Sequence, residues 1–375
     1  MEIDRRRFLK LLAVYGASPW VAQAAGAEAL STGIEKSRSL YLSARKHAGR
    51  YEAVVINEQG RDLLVVPMPD RGHSFAIDAV RGRAVVFGRQ PGFFAVAFDL
   101  AGKRPPQALP VATDRHFFGH GVFSPDGKIM VATENDYEEG RGVLGVYDAT
   151  EGGAYRRIGE FSTGGIGPHE VVLMPDGRTV CVANGGILTH PDYGKLELNP
   201  ESMKPSLAYI DLHSGDVLEQ VYLAPALHRL SIRHLVIDAS GAVWFGCQYT
   251  GPAQDRPPLV GRHRRGAQPE MFAGPDETLR DLKNYVGSLA LSADGALIAT
   301  SSPVGGKVVF WDTVTGNCVG QADIFDGCGV APMVDKGFIV SSGQGVLAHS
   351  LPVQDNLQTL ASRSDLAWDN HMRRI

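Results

Sequence analysis

The stretch His120 to Thr133 reads HGVFSPDGKIMVAT. A β-prone run meets Asp126-Gly127, and a second β-prone run follows at Ile129 to Thr133. Asp-Gly between two such runs is a tight-hairpin signal, because Gly adopts positive φ at no steric cost. The phrase returns as HEVVLMPDGRTVCVAN (His169 to Asn184), HLVIDASGAVWFGCQ (His234 to Gln248) and SLALSADGALIATS (Ser288 to Ser301). Fainter copies are HSFAIDAVRGRAVVFGRQ (His73 to Gln90) and VAPMVDKGFIVSSG (Val330 to Gly343). A third strand ending in Asp often follows, as in VLGVYDA (Val143 to Ala149), LAYIDLHSG (Leu207 to Gly215) and VVFWDTVTG (Val308 to Gly316).

The turn glycines Gly82, Gly127, Gly177, Gly241, Gly295 and Gly337 are spaced by 45, 50, 64, 54 and 42 residues. Periods of this size with four strands each mark a β-propeller. The longer spacings come from insertions, chiefly Gly185 to Pro205 and Gly251 to Pro258. Six copies leave two ends. LYLSARKHAG (Leu40 to Gly49), YEAVVINEQG (Tyr51 to Gly60) and RDLLVVPMPD (Arg61 to Asp70) read as three strands without an innermost one. The C-terminal DLAWDNHMRRI reads as an innermost strand without partners. Joining them completes a seventh blade and removes the exposed edges of an open stack. The expected fold is therefore all-β: one seven-bladed propeller of four-stranded antiparallel blades over residues 38–375, closed by the C-terminal strand joining the N-terminal blade.

Composition agrees. Hydrophobic residues are 44% and charged ones 21% of 375, the balance of a folded core rather than a disordered chain. The net charge of −4, with no basic stripe, argues against nucleic acid. Four cysteines are too few for a disulfide framework. Cys181 and Cys247 fall in second strands and read as core. Cys318 and Cys328 lie near the junction of the last two blades, where no spacing rule supports a bridge.

The first 27 residues are an address. Arg5-Arg6-Arg7-Phe8-Leu9-Lys10 precedes a weakly apolar stretch and the small residues Ala22, Ala24, Ala25 and Ala27. The run resembles the twin-arginine export signal, with Asp4 where Ser or Thr is usual. Residues 1–27 are expected to be removed and 28–37 to form a linker. The mature protein would be periplasmic, exported folded, with no membrane span left after cleavage.

One end of the propeller collects the polar chemistry. The innermost strands start at or near His73, His120, His169, His234, Ser288, Gly329 (beside Cys328) and His371. Five of the twelve His thus occupy one repeat position. The neighbouring second strands end at Arg45, Arg89, Gln90, Glu134, Asn135, Asn184, Gln248, Ser301 and Ser342. Convergent imidazoles with a nearby carboxylate suit Fe, Cu or Zn. His73, His120, His169, His234 and His371 are the candidate metal ligands. Glu134, Glu170, Asn184, Gln248, Arg233 and Asn370 are candidates to support them. Two other readings stand beside this one. In WD40 propellers a Gly-His pair places the His between blades, and Gly72-His73 and Gly119-His120 match that pair. Acid–base catalysis by the same imidazoles is the third. The segment Gly185 to Ser206 is too long for a plain hairpin loop and should arch over the His-bearing face. His190, Asp192 and Tyr193 are its most reactive residues, and Glu138-Glu139 reads as a solvated loop.

The runs GHGVFSPDG, ENDYEEGRGVLGVYDA, GIGPHEV, ANGGILTHPDYGK, PSLAYIDLHSG, LSIRHL, QYTG, CGVAP and the terminal WDNHM resemble the bacterial domain-of-unknown-function family numbered 1513. The likeness runs from about Leu40 to the C-terminus. It implies an exported, WD40-like seven-bladed propeller without an assigned activity. It also implies imelysin-like and di-haem periplasmic iron-uptake proteins as partners, which points the metal toward iron. A function in metal uptake or handling is the leading expectation. A metal-assisted periplasmic oxidoreductase or hydrolase, and a protein-interaction scaffold with a structural His ring, are the alternatives.

Overall fold

The computed structural model describes residues 39–375 except 195, 335–336 and 353–356. The export signal and linker expected in residues 1–37 lie outside the described residues. The strands form seven four-stranded antiparallel sheets. The innermost strands are Gly72–Asp78, Arg115–Phe123, Pro168–Leu173, Leu230–Ile237, Ser288–Leu291, Gly327–Pro332 and Leu366–Arg374. Each touches the next, and the last touches the first, so the ring is closed. Closure is made as the sequence requires. Leu366–Arg374 pairs with Leu40–His47, and Arg50–Asn57 and Asp62–Met68 complete that first blade.

The repeat phrase forms the same turn each time. Ser124 Oγ donates to Asp126 at 2.6 Å and accepts from Ile129 N at 3.1 Å. Ser292 Oγ repeats this with Asp294 at 2.6 Å and Leu297 N at 3.0 Å. The Asp residues ending third strands cap the next turn through their carboxylates. Asp211 accepts from His213 N at 2.8 Å, and Asp312 from Thr315 N at 2.7 Å. Second strands such as Thr179–Asn184 are buried along their whole length, because both faces meet neighbouring blades. Outermost strands such as Gln107–Ala108 are exposed. One short helix, Asp276–Leu282, precedes the innermost strand of the sixth blade.

One irregularity recurs and positions the site. Register between the two innermost strands slips at Gly72/Phe75, Phe117/Gly121, Pro168/Val171, Ile232/His234 and Gly327/Val330. In the first blade it slips opposite Ser43 and Arg45, between Met372 and Trp368. Only the blade of Ser288–Leu291 keeps plain register. A bulge leaves residues outside the ladder and re-aims their side chains.

Candidate metal centre

Five of the six bulges deliver an imidazole; the one at Gly327/Val330 carries none. His73, His120, His169 and His371 lie inside slipped segments, and His234 follows the extra residue Arg233. All five are buried, none more than 6% exposed. Their ring centroids form a circuit: His73–His371 4.6 Å, His371–His234 4.8 Å, His234–His169 4.7 Å and His169–His73 5.4 Å. His120 lies 5.0, 4.8, 6.1 and 5.0 Å from His73, His371, His234 and His169. His371 and His234 belong to the first and fifth blades, and His73 and His169 to the second and fourth. Rings from non-adjacent blades meet, so they fill the channel and are not packed between blades.

The two blades without an imidazole make room for the others. At Gly329 a Cβ would lie 2.8 Å from Met372 N and 2.9 Å from the His371 carbonyl carbon. The sixth blade places Ser288 there, with a buried, unpartnered Oγ. Gly119 has φ +109°, and a Cβ on it would meet the His73 ring at 2.4 Å. The Gly before His120 therefore clears space for a neighbouring imidazole.

Hydrogen bonds set which nitrogen is left free. His169 Nδ1 lies 3.1 Å from the Arg233 carbonyl, which can only accept, so that nitrogen carries the proton. His120 Nδ1 and His234 Nδ1 face the two oxygens of Glu170 at 3.5 and 3.4 Å. This leaves the Nε2 lone pairs of these three residues for a ligand. Nε2 of His73, His120, His234 and His371 is buried without a hydrogen-bond partner, as is Nδ1 of His73, His234 and His371. Two sets, His73/His120/His169 and His120/His234/His371, bring one ligand atom per residue within 4.8 Å of each other.

The electrostatics keep His73, His169, His234 and His371 neutral. Burial pushes His73, His169 and His371 well below the usual imidazole range, and the neighbouring imidazoles and Arg89, Arg233 and Arg373 add to this. Burial lowers His234 to about 4 although Glu170 pulls it up. Burial raises Glu170, but His120 and Arg373 outweigh it and hold the carboxylate well below its ordinary value. Its other contacts are Leu235 N, donating at 3.1 Å, and the Arg373 guanidinium. Neutral imidazole is the form that ligates metal.

Arginines stand around these rings. Asp369, buried, pairs with Arg71 and lies 3.7 Å from Arg89 Nη1 and 4.0 Å from His73 Nδ1. The long insertion crosses this face. Thr189 accepts from Gln90 of the second blade at 3.1 Å and from Asn135 of the third at 3.1 Å. Glu201 pairs with Arg229, and Met203 Sδ accepts from Thr250 at 3.4 Å, both in the fifth blade. His190 caps the turn Pro191–Tyr193, and its Nε2 lies 3.6 Å from Glu138.

Some expected supporting residues stand elsewhere. Glu134 is a correction: its carboxylate accepts from Tyr147 Oη at 2.5 Å and Arg157 Nη2 at 2.9 Å, inside its own blade. No contact among the described residues joins it to an imidazole. Asn184 donates to the Thr163 carbonyl at 2.9 Å and Ser206 Oγ at 3.2 Å, so it braces its own blade. Gln248 is a bridge partner of Tyr285 through the backbone. Arg233 supports through its carbonyl, and Asn370 Nδ2 donates to Tyr285 Oη at 3.4 Å. Of Glu134 and Glu170, the two carboxylates expected from the sequence, only Glu170 reaches the rings. Sequence reasoning missed Asp369 and Arg373. They lie two residues before and after His371. It also missed His116, whose Nε2 accepts from Asn135 at 3.1 Å and so helps hold the insertion. All four cysteines are free thiols, and Cys181, Cys247 and Cys328 are buried.

Glu134 gives a control. Glu134→Gln is expected to cost about 2 kcal/mol in denaturant unfolding, through the loss of one charged partner of Arg157. It should leave metal content unchanged. A fall in metal content would return Glu134 to the site.

Fold and site together define a closed seven-bladed propeller whose channel is filled by five buried imidazoles. The chain belongs to the DUF1513 family, described as a protein of unknown function, whose model matches residues 66–375. No curated protein matches it in sequence. Among solved structures it is similar to a periplasmic gluconolactonase of Pseudomonas aeruginosa, PpgL, with 15% identity and TM-score 0.62, covering 90% of this chain and 99% of that one. It is also similar to hydrazine synthase of Kuenenia stuttgartiensis, with 15% identity and TM-score 0.59, over 84% and 90% of the two chains. BamB of Moraxella catarrhalis gives 15% identity and TM-score 0.53, over 86% and 87%. Identities this low carry the fold and nothing of the activity. No helix among the described residues is long and apolar enough to cross a membrane.

Proposed function

We propose that this protein binds one transition-metal ion, iron or copper, on the five channel imidazoles and serves metal uptake or handling in the periplasm. The observation that carries the reading is the set of buried imidazole nitrogens without partners. An unpaired buried polar atom costs about 1–3 kcal/mol, and several lie together here, in rings that form two three-imidazole sets sharing His120. A metal ion removes that cost at one nitrogen of each ring it binds. Imidazole donors suit iron and copper. His73, His120, His169, His234 and His371 would hold the ion, which would supply Lewis-acid or redox chemistry when bound. Glu170 orients two of these rings from behind. Export by the twin-arginine route, read from Arg5 to Lys10, suits a protein that folds around its metal first.

The test is elemental analysis of protein exported from its native host and never refolded. Near-stoichiometric iron or copper is expected. Absence of metal, even after loading under oxidising and reducing conditions, would overturn the reading and leave a structural His ring on an interaction scaffold. Glu170→Gln is expected to weaken metal binding about 10–100-fold, as loss of a carboxylate behind ligating imidazoles does. Competition with a metal-binding dye measures this. An unchanged affinity would remove Glu170 from the centre.

A further inference from the structure

We infer that the channel offers its ion two alternative seats of three imidazoles each, and that the ion passes between them with His120 as a ligand in both. This rests on the metal reading above and says how the same site handles its ion. His73, His120 and His169 form one set, and His120, His234 and His371 form the other. In each, one ligand atom per residue lies within 4.8 Å of the others. Three protein ligands make an open shell, with a position left for an incoming group.

His120 is placed to be the shared ligand. It alone of the five rings contacts all the others, at 5.0, 4.8, 6.1 and 5.0 Å from His73, His371, His234 and His169. The slip at Phe117/Gly121 leaves Phe118, Gly119 and His120 opposite Thr133 alone, and so carries the ring well out of the ladder. Its backbone is fixed meanwhile: Thr133 Oγ1 lies 3.2 Å from the carbonyls of both His120 and His169. The two seats are supported differently. Glu170 stands behind two rings of the second set, His120 and His234, at 3.5 and 3.4 Å. In the first set it stands behind His120 only, and Asp369 lies 4.0 Å from His73 Nδ1. Groups behind the ligands tune an ion, so each seat gives it a distinct environment.

One ion at a time uses the pair. Rings of different sets lie as close as rings of one set: His73–His371 is 4.6 Å and His169–His234 is 4.7 Å, against 5.0 Å for His73–His120 and for His120–His169. The seats therefore adjoin. Two cations in adjoining buried seats repel strongly, and neither set includes a carboxylate to offset them. Passage from one seat to the other breaks two metal–nitrogen bonds and forms two. His120 stays bound throughout, and no charge or electron is transferred.

The test loads copper(II) into variants that each lose two imidazoles, either both from one set or one from each. His73→Ala with His169→Ala leaves the second set whole, and His234→Ala with His371→Ala leaves the first. Both are expected to hold about one copper ion per chain, with different electron paramagnetic resonance spectra in frozen solution. His73→Ala with His234→Ala breaks both sets and should hold below about a tenth of an ion. A thermal melt of each copper-free variant reports folding. Equal copper in all three folded variants, whether kept or lost, would overturn the inference. So would two ions per wild-type chain. The wild-type spectrum decides without any variant: two copper species at one ion per chain are expected, and a single species would overturn the inference. Failure of the wild type to bind copper at all would overturn the metal reading itself, and the copper content reports that separately.

Discussion

Replacing both His120 and His169 by Ala is expected to lower metal content from about one ion per chain to below about a tenth, with the propeller intact. His120 belongs to both three-imidazole sets, and His169 completes the first of them. What remains, His73, His234 and His371, completes neither set. The fold should tolerate the change for a specific reason. Wild-type His120 carries a buried nitrogen without a partner, a cost that truncation removes. The opposing loss is packing around two deleted rings, of the order of 2–4 kcal/mol. These terms largely offset, so a net change within about 2 kcal/mol is expected. Elemental analysis beside a thermal melt reads both quantities. Full metal content in the variant would show that the ligands are wrongly assigned. Collapse of the melt without any wild-type metal would make the imidazoles structural.

Metal-free protein should lose stability steeply as pH falls below about 6.5, the ordinary imidazole value. Burial lowers His234 and His116 to about 4 in the fold, and His73, His169 and His371 lie well below their ordinary value. Above pH 6.5 these groups are neutral in both folded and unfolded chains, and their contribution is fully present. Below it the unfolded chain takes up protons that the fold refuses. Each such group then costs about 1.4 kcal/mol per pH unit until its folded value is reached. His234 and His116 alone withdraw about 2.7 kcal/mol per unit between pH 6.5 and 4. The other three rings continue the slope to lower pH. Glu170, held low by His120 and Arg373, adds its own loss as it protonates below its unfolded value. Glu134, raised by burial, runs the other way, but it is a single group. Domain stabilities are about 5–15 kcal/mol, so unfolding above pH 4 is expected. Circular dichroism melts from pH 8 to 4 measure it, and bound metal should move the transition to lower pH. A flat profile would mean that water or protons already reach the rings.

The channel explains why these effects are expected together. The same bulges that take the imidazoles out of the ladder gather them in the channel. The same burial that keeps them neutral for a metal makes the metal-free protein sensitive to acid. Glu170 sits where both effects meet, because it holds two ligand rings and pairs with the Arg373 guanidinium.

Much of this was legible in the chain itself. The Asp-Gly hairpins, the seven-fold repeat, the closing C-terminal strand and the recurrence of His at one repeat position all follow from local chemistry. Turn residues and alternating hydrophobicity act over a few residues, and a repeat copies them faithfully. The site was legible only in outline. Glu134 and Asn184 end second strands at the channel end, yet their side chains brace their own blades. Side chains alternate with a period of two, so a one-residue slip reverses which way each one faces. Those slips are set where strands meet across a blade, and no short stretch of sequence records them. Nor does repeat spacing say whether an imidazole points into the channel or between blades. That was decided when closure brought His371 beside His73, nearly three hundred residues away, and set its ring against those of His120 and His234. The amino-acid sequence by itself determined the propeller and the residue type at each position of its channel. Only the tertiary structure decided that five imidazoles gather in one buried channel, as two sets sharing His120 with Glu170 behind two of the rings, because that gathering is a property of the closed ring and of no single blade.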